Sequence, residues 1–155
     1  MKRLPVLIVA ALAAAATALV LAVGGSAQGP KARTIQLVEQ EGQFTEVPNP
    51  PKGFSPGDEF VIRGKLTDTS GEAAGTDHAY CVITKASRHH PVADCTASFF
   101  LRDGKISVVG GVHLERRKQV LPVVGGTGAY VGAQGTAVSE SRKGNKTAWT
   151  FNLMP

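Results

Sequence analysis

The sequence predicts an all-β fold: an eight-stranded, antiparallel, up-and-down β-barrel preceded by an N-terminal signal helix. Three observations predict it. Eight short runs alternate apolar and polar residues with a period of two, as half-buried strands do. The runs are punctuated by turn residues, and the chain holds 18 glycines, which suit turns, bulges and close-packed strands better than helices. Beyond the N-terminal segment no long helix-forming stretch occurs. The composition is globular, with 43% hydrophobic and 19% charged residues, and 155 residues suffice for one domain.

Residues 1–27 read as a signal peptide. Lys2 and Arg3 supply a short positive region, Leu4–Val23 carries no charge, and Gly24-Gly25-Ser26-Ala27 offers the small residues a signal peptidase needs. Cleavage after Ala27 leaves a single domain over residues 28–155. The uncharged run also reaches the ~20 residues that span a bilayer, so a retained N-terminal anchor is the alternative. It is mostly alanine, however, and ends without a basic stop, so no stable membrane span is expected after cleavage. On either reading the folded part lies outside the cytoplasm, secreted or extracytoplasmic, where Cys81 and Cys95 are free to form a disulfide.

Strand one is expected over Thr34–Glu41, with Ile35, Leu37 and Glu39 on one side. Prolines and glycines from Pro48 to Gly57 follow as a long irregular loop, the kind that serves as a lid or binding loop. Strand two covers Glu59–Thr67, with Phe60, Ile62, Gly64 and Leu66 facing one way. Strands three and four, Asp77–Lys85 and Ala93–Leu101, form a hairpin across Ser87–Pro91. Asp103-Gly104 is a tight-turn pair leading to strand five, Lys105–Leu114. Strand six is Gln119–Val124. Gly125-Gly126-Thr127-Gly128 reads as a turn before strand seven, Val131–Glu140. Lys143-Gly144-Asn145 turns the chain into strand eight, Thr147–Leu153, with Trp149, Phe151 and Leu153 on one face. Strands joined by tight turns are antiparallel, and eight of them close into a barrel without exposed edges, wide enough to be filled or to hold one small ligand.

The apolar faces point inward. Phe60, Ile62, Leu66, Ala79, Ile83, Phe99, Val108 and Val112 are the expected cavity lining, with small residues at Gly64, Ala79, Ala93, Ala97 and Gly110 leaving space. Glu39 shares the inward face of strand one. A carboxylate in an apolar lumen has a raised pKa and can act as acid or base; at the barrel mouth it would instead be solvated. Cys81 and Cys95 share the inward faces of strands three and four. A bridge between them would consume any catalytic thiol.

The runs Ala79-Tyr80-Cys81-Val82-Ile83-Thr84, Ala93-Asp94-Cys95-Thr96-Ala97-Ser98-Phe99-Phe100 and Gly104-Lys105-Ile106-Ser107-Val108-Val109-Gly110 resemble the allene oxide cyclase barrel. Leu121-Pro122-Val123-Val124-Gly125-Gly126-Thr127-Gly128-Ala129-Tyr130-Val131-Gly132-Ala133-Gln134-Gly135 resembles the glycine-rich signature shared with plant dirigent proteins. The likeness spans roughly Phe60–Val138. It implies an apolar cavity that steers cyclisation or coupling of a small hydrophobic molecule, a homo-oligomer (dimer or trimer), and no metal and no organic cofactor. By the same resemblance Cys81 matches the cyclase cavity cysteine and Glu39 the strand-one glutamate, which makes them the candidate catalytic pair. The cavity asparagine falls on Gly64, and the cavity tyrosine on Val112 or His113, so both groups are missing. The cavity aspartates of dirigent proteins have no assigned counterpart.

Other functions are disfavoured. The net charge of +5 is scattered; its densest cluster, Arg116-Arg117-Lys118, reads as a solvated turn, and aromatics make up only 6% of the chain, so no nucleic-acid surface is expected. His89 and His90 are adjacent and would point in opposite directions on an extended chain; His78 and His113 stand alone. The glycine run lacks a Gly-Lys-Ser/Thr ending and a following helix, so it is no phosphate loop. Three functions remain: a ligand-holding and steering barrel, a true cofactor-free isomerase or cyclase using Glu39 and Cys81, or a structural or interaction barrel with a filled core.

Overall fold

The computed structural model describes residues 32–49 and 54–155. The leader expected over residues 1–27 lies outside these described residues. Eight strands run in chain order: β1 Arg33–Val47, β2 Glu59–Thr67, β3 Ala73–Lys85, β4 Val92–Leu101, β5 Gly104–His113, β6 Lys118–Gly128, β7 Gly135–Arg142 and β8 Lys146–Leu153. Each pairs antiparallel with its sequence neighbours, and β1 pairs with β8, closing the barrel. Closure satisfies the backbone donors and acceptors that an open sheet would leave at its edges.

Four strands, β1, β3, β6 and β7, differ from the sequence expectation by four or more residues at one end; β3 begins at Ala73 rather than Asp77. β1 runs on to Val47, because its register slips at Gly42 and Gln43–Val47 then pair with Glu59–Arg63. This long β1–β2 ribbon forms a lip beside the barrel mouth. The glycine run is strand, not turn. Val123 faces Val108 while Gly125 faces Ser107, so Val124 is an extra residue in β6. A Cβ on Gly126 would lie 2.5 Å from the carbonyl oxygens of both Lys105 and Tyr130; only glycine permits that approach. The chain turns instead after Gly128, and β7 begins at Gly135 rather than Val131.

The β5–β6 seam is laddered only from Gly104 to Val108. Toward the mouth, Pro122 has no N–H to offer. The Gln119 side chain stands in for the missing ladder: its Nε2 donates to the carbonyls of His113 (2.7 Å) and Arg116 (3.0 Å), and its Oε1 accepts from the His113 amide (3.4 Å).

The core fills one end of the barrel. Leu66, Phe99, Ile106, Val108 and Phe151 are fully buried there. Phe99 meets Phe151 and Trp149 edge to face, with ring centroids 4.8 Å apart in each case; such pairs add about 0.5–1.5 kcal/mol beyond the area they bury. A smaller cluster of Cys81, Ile83 and Ala93 lies nearer the mouth. Cys81 and Cys95 face each other directly across β3 and β4 and are joined by a disulfide.

Candidate functional site

Between the packed end and the mouth the barrel encloses a cavity of about 250 Å³. Of the expected lining, Phe60, Ile62, Ala79 and Val112 line it, together with Cys81, Cys95 and Glu39. Leu66, Phe99 and Val108 do not. They belong to the packed core, because the inward residues at their level of the barrel are large enough to fill the whole cross-section. Ile83 lines a separate cavity outside the mouth. The Arg116 side chain reaches the lumen rim while Arg117 and Lys118 stay exposed. His90 pairs with Glu115 at 3.3 Å at the surface.

Glu39 sits inside the barrel rather than at its mouth, only 6% exposed. β1 places it inward by the same alternation that buries Leu37. Beside it lies Asp77, 2% exposed, which shares the inward face of β3 with Ala79, Cys81 and Ile83. Gly64 makes their meeting possible. It stands opposite Asp77 across β2 and β3, and a Cβ there would lie 2.5 Å from Asp77 Oδ1, 2.6 Å from Glu39 Cγ and 3.0 Å from Glu39 Oε1. The two carboxyl groups therefore occupy the space a side chain at position 64 would need.

The electrostatics follow from this crowding. Burial removes water from both groups, and ionising both would set two like charges side by side. Burial, with the neighbouring Glu39 charge and a hydrogen bond to Glu39, pushes Asp77 up to about 7. Burial also raises Glu39, offset by the Trp149 indole N–H, which donates to Glu39 Oε2 at 2.7 Å. Asp77 Oδ1 is buried and meets no N–H or hydroxyl donor, and the Glu39 carboxyl lies next to it. One proton held between the carboxyl groups satisfies both. Trp149 favours Glu39 as the carboxylate and leaves Asp77 as the acid, and the pair titrates as a unit. At neutral pH such a pair presents a hydrogen-bond donor and a base side by side, in an apolar chamber.

The disulfide alters the other sequence candidate. With Cys81 bonded to Cys95, its sulfur lines the lumen without a thiol proton and supplies no thiolate. Sequence reasoning assigned no role to Asp77, Trp149 or Ser139, all of which line the lumen. The signal for Asp77 was present: it continues the inward parity of Ala79, Cys81 and Ile83.

A family model described as the allene oxide cyclase barrel like domain matches residues 34–148. A search of curated proteins finds no match. Among solved structures, pyocyanin demethylase is similar at 20% identity and a TM-score of 0.72, covering 79% of this chain and 100% of its own. An exo-specific intermolecular Diels-Alderase is similar at 18% identity and a TM-score of 0.65, covering 80% and 98%. A pterocarpan synthase dirigent protein is similar at 14% identity and a TM-score of 0.58, covering 81% and 86%. The match to the domain model, with the closed eight-stranded barrel, establishes that this chain belongs to the allene oxide cyclase barrel-like family.

Proposed function

We propose that the protein holds a small hydrophobic molecule in its lumen and steers its cyclisation or coupling, with the Glu39–Asp77 pair managing the proton. The observation that carries this reading is the carboxyl pair buried against an apolar cavity. Burying two acids without a compensating role is costly, and the cavity beside them is lined by Phe60, Ile62, Ala79 and Val112. The protonated Asp77 donates to an oxygen on which negative charge grows as a ring closes or a bond shifts. Glu39 takes up a proton released elsewhere on the same molecule, and one further transfer between the two side chains restores the starting state. The apolar walls fix the conformation in which the molecule reacts.

The relatives support this reading by the chemistry their names carry, since both a Diels-Alderase and a dirigent protein are built on the same barrel. On the same reading the protein works outside the cytoplasm, as the leader pattern suggests, and assembles as a homo-oligomer.

Native mass spectrometry of the protein purified from its exported fraction tests occupancy. The expected result is a co-purifying apolar molecule that is released on mild denaturation. Glu39→Gln then separates steering with proton transfer from simple holding: it should abolish turnover of that molecule while leaving its binding largely intact. A clean apo mass and no affinity for an apolar dye would move the assignment to a structural or interaction barrel.

A further inference from the structure

Outside the lumen, against the β1–β2 lip, lies a second and larger cavity of about 530 Å³. Phe60 and Leu114 line both spaces, so this vestibule adjoins the lumen. Phe44, Phe54 and Phe60 supply aromatic surface to it, and Phe44 and Phe60 lie 5.6 Å apart between ring centroids. Phe44 is 48% exposed and Phe54 56%, so these rings face open space rather than a packed core. Glu46, Asp58 and Glu59 line the same cavity, and among the described residues no lysine, arginine or histidine does. The chain as a whole carries a formal charge of +5, whereas the described wall of the vestibule is acidic and aromatic.

The pocket wall is built, not incidental. The Asp58 carboxylate accepts the amides of Asn49 and Ser55, each at 2.7 Å, and the Ser55 hydroxyl at 3.1 Å. These bonds hold Asp58 below the usual carboxylate range, so its charge persists into mild acid. Gly57 N donates to Ile83 O, and Ile83 N to Asp58 O, both at 2.8 Å, which pins this end of the loop to β3.

We propose that the vestibule is a binding site for a lipophilic cation: an aromatic or alkyl body carrying a charged nitrogen. Aromatic faces attract a cation through their quadrupole, and the surrounding carboxylates add long-range attraction. The vestibule site stands on its own geometry. The further step, that the rest of the same molecule reaches the Glu39–Asp77 pair, rests on the function proposed above and makes the substrate class a cationic apolar molecule.

The test uses three probes of similar size: phenyltrimethylammonium, its neutral isostere tert-butylbenzene, and benzenesulfonate. Affinity is read from protein NMR shifts, and lumen occupancy from the emission of Trp149, the chain's single tryptophan. Phenyltrimethylammonium should bind about tenfold more tightly than the neutral isostere, and benzenesulfonate most weakly. Glu46→Gln with Glu59→Gln should reduce that preference severalfold without changing affinity for the neutral probe. Glu46→Gln alone, at an exposed side chain, should reduce it less. Equal affinities, or a preference that the double variant leaves undiminished, overturn the vestibule site. If Trp149 responds without any charge preference, the vestibule fails and the lumen reading stands. If the cation is preferred while Trp149 stays silent to every probe, the vestibule stands and its link to the lumen fails.

Discussion

At the closed end of the barrel the inward positions of β1, β2, β4, β5 and β8 carry Leu37, Leu66, Phe99, Val108 and Phe151. Two residues along each strand toward the mouth, the same faces carry Glu39, Gly64, Ala97, Gly110 and Trp149. The first set packs into a solid plug; of the second, Glu39, Ala97 and Trp149 border a cavity, and Gly64 leaves the room that the two carboxyl groups occupy. The ladder runs round the barrel at the packed level and is interrupted at the hollow level only between β5 and β6, so most of the backbone is common to both. Side-chain volume decides which level is hollow, and the two carboxyl groups enter where volume has been withdrawn. Packing and chemistry are thus separated by a single step along each strand.

The largest expected effect lies in the plug. Phe99→Ala should cost about 3–5 kcal/mol by denaturant unfolding, because the surrounding rings cannot collapse into the space. Ile62→Ala on the lumen wall, already bordering a cavity, should cost about 1 kcal/mol. Equal costs would break the distinction between the two levels.

The hollow level should show itself through pH. Asp77 is raised from its ordinary 3.8 to about 7 in the folded state, so between those values the native protein holds a proton that the unfolded chain has released. Stability is therefore full below about pH 4 and falls as pH rises through about 7, by on the order of a few kcal/mol. Asp77→Asn keeps a donor beside Glu39 and removes this titration, so its stability should vary far less over that range. Thermal melts at a series of pH values check the slope.

Gly64→Ala sharpens the comparison further. Gly64 does not adopt the left-handed backbone conformation, so the substitution acts through its Cβ alone, which would push into Asp77 and Glu39. A loss of about 1–3 kcal/mol is expected, with a changed pH slope because the pair is forced apart. Trp149→Phe should have a comparably small effect on stability, about 1 kcal/mol from the lost indole donor, together with a higher apparent pKa for the pair.

The barrel was legible because period-two alternation and turn residues recur along the whole chain; β2 has the bounds its pattern predicts. Alternation reports which side of a strand is inward, not how deep along the barrel a residue sits. Leu66, Phe99 and Val108 were therefore placed in the cavity when they fill the plug. Glycines in a turn and glycines in a bulge look alike in one dimension, so Gly125–Gly128 read as a turn although Gly126 serves close backbone contact. The lip formed by Gln43–Val47 depends on its pairing with β2 and leaves no clean local pattern. Glu39 was legible from its face. Asp77 obeys the same rule on β3, but its meaning as half of a proton-sharing pair required knowing that Gly64 stands opposite and leaves room.

The shared proton is the centre of this account, and carboxyl ¹³C NMR across pH 3–9 on the folded protein addresses it directly. The account predicts that Asp77 keeps its proton to near pH 7 and that the Glu39 signal shifts in the same step, as coupled sites must. Two independent titrations near the ordinary values of about 4 would contradict it.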